Sequence, residues 1–246
     1  VHWVPKKMVL LDRDHFKPEY LKINPKAQVP TLVHDGKVIR ESSIICDYLD
    51  DLAPEPPLKP KNAADRALLR EWIKDTDESG YQAAASINFV TKFRLEIPRE
   101  KLEERWKKVP DIDRLHRQQS CVLEGFESPY VLRAVGAWDR IFKKMEEVLS
   151  DGRPWIMGDQ FTLVETTSAP LIKVMEMLRL LHLWLEGRPN VQRWWETLTK
   201  RQSFTELEEY PGQSEDDDAP HAKAGIAAES EFKALLKKYR ETIPQL

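Results

Sequence analysis

Cysteine is nearly absent: Cys46 and Cys121 are the whole complement of a 246-residue chain. Two thiols inside helix-like patterns do not build a disulfide-framed secreted scaffold, and they fit a reducing, cytoplasmic setting. The six histidines, His2, His15, His34, His116, His182 and His221, are scattered. Their spacing forms no metal site with either cysteine, so no metal is expected. Long apolar runs are also missing. The most apolar stretch, residues 169–185, is interrupted by Lys173, Glu176 and Arg179, which makes it a core helix and not a membrane span. No secretory leader pattern opens the chain. Charge of one sign is lacking as well: the formal net charge is -3, which gives no pull towards nucleic acid or an anionic membrane. With 41% hydrophobic and 32% charged residues, the chain reads as an ordinary globule with ample core.

The most informative stretch is Asn24-Pro25-Lys26-Ala27-Gln28-Val29-Pro30-Thr31-Leu32-Val33-His34-Asp35-Gly36-Lys37-Val38-Ile39-Arg40-Glu41-Ser42. Two short extended runs, residues 29–33 and 37–40, flank Asp35-Gly36, a dipeptide suited to a turn in which both residues take positive φ. A tight antiparallel hairpin is expected. Ile45, Tyr48, Leu49 and Leu52 then recur at helical spacing, with Ser42 placed to cap the first turn. A helix N-terminus directly after a strand offers unpaired N–H groups, and with the Ser42 hydroxyl it can hold a carboxylate. Val29, held extended by the following proline, can offer its backbone to an extended peptide. A small acidic peptide is the ligand these features suit.

Further along, residues 53–62 form a proline-dense connector that no helix can cross. The expected division is residues 1–53 as a first domain, 54–62 as linker, 63–210 as an all-α domain, and 211–246 as a flexible acidic linker and C-terminal helix. Helical patterning from Ala63 onward breaks near Pro98, Pro110, Pro129 and Asp151-Gly152. Leu68, Trp72 and Thr76 are expected on one helix face, with Leu69 and Ile73 on the adjoining one. Thr162 and Glu165 make a capping box, Pro170 predicts a kink, and Trp194-Trp195 read as core. Residues 210–230, rich in Pro, Gly, Ala and acid, are expected to be a mobile linker. After them, Phe232, Leu235, Leu236 and Tyr239 mark one face of a short amphipathic helix that docks as a packing tail or closes as a lid.

The ordered string Asn-Pro-x-x-Gln-Val-Pro-x-Leu, then Asp-Gly, then Glu-Ser before an Ile-rich helix, resembles the glutathione-binding half of the cytosolic glutathione S-transferase superfamily. Within it, Ile-Asn-Pro-x-x-Gln-Val-Pro through Ile-Cys-x-Tyr-Leu is most similar to the bacterial glutathione-dependent β-etherases that cleave lignin β-aryl ethers. The insertion from Pro98 to Pro129 resembles those enzymes and the hydroquinone dehalogenases. The resemblance implies an α+β fold, an incomplete thioredoxin-like N-terminal domain followed by an all-α domain, and a cytoplasmic homodimer. It implies glutathione as co-substrate, with a cis Val29-Pro30 bond, Val29 pairing with the cysteinyl backbone, and Glu41 and Ser42 holding the γ-glutamyl end.

His15 matches the spacing at which theta-like transferases contact the glycine carboxylate, although a solvated loop histidine is the simpler reading. Gln28 suits the same end. Residues 1–11 resemble the end of the family's first helix and its second strand. The family's catalytic Ser, Cys or Tyr lies upstream of that strand, so the resemblance assigns the catalytic role to no residue here. The implied activity is attack of glutathione thiolate on an aromatic electrophile, with Tyr81, Asn88 and Phe89 placed by position at the substrate pocket. The alternatives are a non-catalytic transferase-like binding or scaffold protein, an open-pocket detoxifying transferase, or thiol-transfer and reductive dehalogenation with a cysteine in the catalytic loop.

Overall fold

The computed structural model describes residues 2–10, 12–53, 55–208 and 215–242. A 3-10 turn at Asp14–Phe16 leads into α1 (Pro18–Ile23), the hairpin β1 (Thr31–His34) and β2 (Lys37–Arg40), and α2 (Ser42–Leu52). The two strands pair antiparallel with Thr31 opposite Arg40 and His34 opposite Lys37. Asp35 and Gly36 close the turn at φ 48° and 76°, the left-handed pair that matches strand twist. The expected second strand does not form: residues 2–10 carry no strand pairing. A strand needs a neighbour to complete its hydrogen-bond ladder, and no described segment supplies one.

The connector after α2 holds no helix but is tightly stitched. The amide of Leu58 donates to the buried Asp50 carboxylate at 2.7 Å, and Lys59 Nζ reaches Asp47, Asp50 and Asp51. On the far side, Leu163 N donates to Leu58 O at 3.0 Å. Asn62 then caps α3 (Ala63–Asp75) by accepting from Ala64 N.

From Ala63 to Glu96 one continuous helical rod is interrupted twice by π-helical turns. Its order is α3, a π turn at Thr76–Gly80, α4 (Tyr81–Asn88), a π turn at Phe89–Phe93, and α5 (Arg94–Glu96). Leu69, Trp72 and Thr76 are buried, but Leu68, expected beside Trp72, is 52% exposed. Two helices, α6 (Arg99–Trp106) and α7 (Ile112–Leu123), fill the Pro98–Pro129 insertion. The core is centred on α8 (Pro129–Val148), where Trp138 and Phe142 stack at 5.4 Å. Around it pack α9 (Leu163–Met177), α10 (Leu181–Leu185) and α11 (Pro189–Thr199), followed by α12 (Gln202–Glu208). Trp194 and Trp195 are both buried there, as core residues.

The capping box at the start of α9 is present in full. Glu165, wholly buried, accepts from Ile156 N at 2.8 Å, from Thr162 N at 3.0 Å and from the Thr162 hydroxyl at 2.9 Å. Phe161 finds its partners in Trp155, edge-on at 5.1 Å, and Arg201, 3.9 Å above its ring. The helix runs through Pro170 to Met177.

The C-terminal segment departs from expectation. Helix α13 spans Glu215–Thr242, so residues 215–230 are helical and not a mobile linker, while residues 209–214 lie outside the described residues. Alanines at 219, 222, 224, 227 and 228 carry the strongest helix propensity, and the glycine that suggested a flexible stretch serves packing. A Cβ on Gly225 would sit 1.7 Å from the carbonyl oxygen of Leu178, and one on Gly136 of α8 would sit 2.3 Å from the Tyr239 ring. Phe232 is fully buried, edge-on to Phe126 at 5.2 Å, and Leu236 is buried beside it. Asp139 of α8 ties the end down through Arg240 and Arg188, at 2.8 and 2.7 Å. Burial alone would raise that carboxyl, but the hydrogen bonds and charge of the two arginines outweigh it and hold it low. Among the described residues, no helix is long and apolar enough to cross a membrane.

Two outcomes are expected from this packing. Gly225→Ala should lower stability by about 1–3 kcal/mol, since backbone must move to admit one methyl group, and thermal melting with limited proteolysis of α13 will read it. Thr162→Ala should cost about 1 kcal/mol in a melting experiment.

Candidate functional site

The register of the hairpin decides what meets what. Because Thr31 faces Arg40, the residues just before β1 and just after β2 leave the same end of the sheet, putting Val29-Pro30 beside Glu41-Ser42. Lys26 Nζ, 2.6 Å from Glu41 Oε1, bridges the two segments. The Val29-Pro30 bond is cis. Val29 is 41% exposed, and among the described residues no hydrogen bond engages its backbone.

The loop that presents Val29 is held by its carbonyls. Gln28 O accepts from the Tyr20 hydroxyl at 2.5 Å and from Asn24 Nδ2 at 2.8 Å. From the helical side, Arg114 Nη1 donates to Lys26 O at 3.0 Å. The Gln28 side chain turns outward, its Nε2 donating to the Tyr81 hydroxyl at 3.3 Å.

At the other segment, Glu41 takes φ 67° and ψ 122°, a conformation costly for a residue with a Cβ and concentrated at functional sites. Glu41 rather than Ser42 occupies the N-cap, and no side chain caps α2. The expected cap is therefore not made. The Ser42 side chain is exposed and forms no hydrogen bond among the described residues, which leaves it and the first N–H groups of α2 open to a ligand carboxylate. The next hydroxyl, Ser43, donates to Asp77 Oδ2 at 2.5 Å. Burial pushes the Asp77 carboxyl up against the effect of that bond, and Glu41 and Glu78 add to the rise.

The structure thus brings together Gln28, Val29, Pro30, Glu41 and Ser42, and it joins Tyr81 to them through Gln28. Phe89 instead lies in the core, stacked on Phe93 at 4.3 Å, and Asn88 is half-buried with Oδ1 unpartnered. His15 is not a solvated loop residue: it is 3% exposed, 4.1 Å from the Phe16 ring, with Nδ1 unpartnered. Burial, then the charges of Arg105 and Arg114, push its pKa down to about 4, so it is neutral at pH 7. Asp77 and the arginines were missed in the sequence. The signal for Asp77 was a π turn, which nothing in the residue pattern announces.

Burial also raises both cysteine thiols, so neither is a ready nucleophile at neutral pH. Among the described residues, no group of three His, Cys, Asp or Glu side chains could hold a metal ion.

A histidine with its folded pKa depressed opposes the native state as it protonates: stability is complete above the unfolded value near 6.5 and is lost as pH falls towards 4. The loss is on the order of 2 kcal/mol. His15→Gln should therefore flatten the fall in melting temperature between pH 7.5 and 4.5, and an unchanged slope would show that His15 does not titrate in this window.

Comparison with known proteins agrees with this geometry. Residues 2–57 match the family model "Glutathione S-transferase, N-terminal domain" and residues 107–202 match "Glutathione S-transferase, C-terminal domain". Together they cover more than half of the chain. Protein LigF of Sphingobium sp. is 44% identical over 77 residues, 29% of this chain and 30% of that protein. The tetrachloro-p-hydroquinone reductive dehalogenase of Sphingobium chlorophenolicum is 24% identical over 212 residues, covering 78% of this chain and 79% of that enzyme. A probable glutathione S-transferase of Nicotiana tabacum is 42% identical over 94 residues, 38% of this chain and 40% of its own. The chain thus spans less than half the length of the two more identical relatives. Among solved structures, the β-etherase LigF of Sphingobium sp. superposes with a TM-score of 0.69 at 24% identity over 82% of this chain and 86% of the other, a likeness of fold. The motif, the hairpin register, the cis proline and the two family models converge: the chain belongs to the glutathione S-transferase superfamily.

Proposed function

We propose that this chain is a glutathione-dependent transferase acting on an aromatic electrophile, with β-aryl ether cleavage as its reaction. The carrying observation is the backbone of Val29, a residue 41% exposed and unpaired among the described residues, next to the unengaged Ser42 hydroxyl at the start of α2. Glutathione is an extended acidic peptide, and this end of the hairpin has a strand edge for its cysteinyl backbone and donors for its γ-glutamyl carboxylate. Glu41, with Asp77 behind Ser43, supplies negative charge for the ammonium group. Gln28 lies towards the glycine end. Tyr81, joined to Gln28, lies at the boundary between glutathione and its partner. The family pattern supports a homodimer, and Leu68, 52% exposed on α3, is suited to a subunit contact.

In the reaction, the thiol must first ionise, since only the thiolate is a competent nucleophile. Its sulfur attacks the carbon bearing the aryl ether, a C–S bond forms, the C–O bond breaks, and the phenolate leaves with both electrons. The proton lost by the thiol ends on that phenolate. No described residue is assigned the stabilisation of the thiolate. Reductive dehalogenation by thiol transfer is the second reading, favoured by the long match to the dehalogenase. It needs a reactive cysteine, and neither Cys46 nor Cys121 fits that need.

Glutathione binding, followed by calorimetry, should weaken about tenfold in Ser42→Ala, the loss of one hydrogen bond to a charged group. In turnover assays with glutathione, a β-aryl ether should react faster than a chlorinated hydroquinone or a generic aryl halide. Preference for the hydroquinone favours the second reading, preference for the halide an open-pocket transferase, and failure of the wild-type chain to bind glutathione rejects both enzyme readings.

A further inference from the structure

Three guanidinium groups from α6 and α7 converge beside the Gln28–Tyr81 contact. Arg114 and Arg117 are 9% and 8% exposed, and Arg105 is half-buried. All three lie within electrostatic range of the Tyr81 hydroxyl. Among the described residues, none of them forms an ion pair. Nε of Arg105, Nε and Nη2 of Arg114, and Nε of Arg117 are out of solvent without a hydrogen-bond partner. Asp111, whose charge acts on Arg114 and Arg117, forms no ion pair with either and caps α7, where it accepts from Arg114 N at 2.6 Å. Arg105 is pushed down to about 10 by burial and by the charges of Arg114 and Arg13, so it is still charged at neutral pH; burial lowers Arg114 and Arg117 as well.

Buried cations without counter-charge are strongly unfavourable. A ligand that brings an anion to them removes that cost, and a guanidinium fork matches the two oxygens of a carboxylate. The surroundings are aromatic: the Arg105 guanidinium lies 5.5 Å from the Phe16 ring and 5.8 Å from that of Phe93. Phe16 also lines a surface cleft of about 480 Å³ whose other walls include Arg13, Lys17, Lys101 and Lys108 against Asp12. Such a cationic approach concentrates anions near the site.

We infer that Arg105, Arg114 and Arg117, with the Tyr81 hydroxyl, bind the carboxylate of an aromatic co-substrate beside the place proposed for glutathione. The electrophile is then an aromatic acid, held by its carboxylate while its reactive carbon faces the sulfur. The role as co-substrate rests on the glutathione reading. The carboxylate site itself does not.

Calorimetry on the full chain without glutathione uses benzoate against its neutral isostere benzamide. Benzoate should bind about tenfold tighter, and Arg117→Gln should abolish that difference while Arg117→Lys keeps part of it. Free Arg117→Gln protein should melt about 2–4 °C higher than wild type, since an unpaired buried charge is gone. A lower melting temperature would mark Arg117 as structural and overturn the inference, as would equal binding of benzoate and benzamide to wild type. A second pair, S-benzylglutathione and S-(4-carboxybenzyl)glutathione, separates the two possible carboxylates. The carboxylated form should be favoured about tenfold by wild type and equally bound in Arg117→Gln. Parallel weakening of both forms would assign the arginines to glutathione's own glycine carboxylate and overturn the inference. Failure of both forms to bind, with Arg117-dependent benzoate binding intact, would reject the glutathione reading and leave the carboxylate site standing.

Discussion

Three side chains from three places in the chain hold one short loop. Tyr20 from α1, Asn24 at its end and Arg114 from α7 donate to the carbonyls of Lys26 and Gln28. These bonds fix the backbone where it turns into Val29, so the segment proposed for the ligand is supported by its neighbouring carbonyls while the Val29 backbone forms no hydrogen bond among the described residues. The Arg114 bond also reaches across from the helical part of the chain. The loop before Val29 and the arginine cluster on α7 are thus joined directly through Arg114.

The rod from Ala63 to Glu96 shows how small changes of winding position chemistry. Each π turn adds about one residue to the local helical count and rotates the next stretch of helix about its axis. The first turn carries Asp77 to Ser43, with Tyr81 opening the next segment opposite Gln28. The second spans Phe89–Phe93, whose two end rings stack on each other.

What could be read from the sequence was local. The Asp35-Gly36 turn, the Thr162–Glu165 box, the proline-dense connector and the apolar face around Phe232 all obey rules that act over a few residues. The nearness of the Val29-Pro30 and Glu41-Ser42 segments was legible because hairpin register converts sequence order into proximity. Elements that needed distant partners were not legible. Residues 1–11 resemble the end of a helix and a strand, yet a strand needs a neighbour to pair with. Residues 215–230 look like a linker by composition, yet Ala219 to Ala228 become helical with Gly225 set against Leu178. The three arginines sit in a charge-rich insertion where any cation reads as solvated, and only the folded chain shows them wholly or partly buried with no ion pair among the described residues.

The two glycine contacts of α13 have a consequence for how that helix can move. At Gly136 the ring of Tyr239 enters a space no other residue would leave, and at Gly225 the helix backbone rides on a carbonyl oxygen. The Gly225 contact exists at a single alignment, because a shift by one residue in either direction sets Ala224 or Ile226 against the Leu178 carbonyl, and the Gly136 contact needs the Tyr239 ring at that place. Interiors packed this closely do not deform by degrees. Helix α13 is therefore latched: it can be seated or released, but it has no intermediate positions through which to slide.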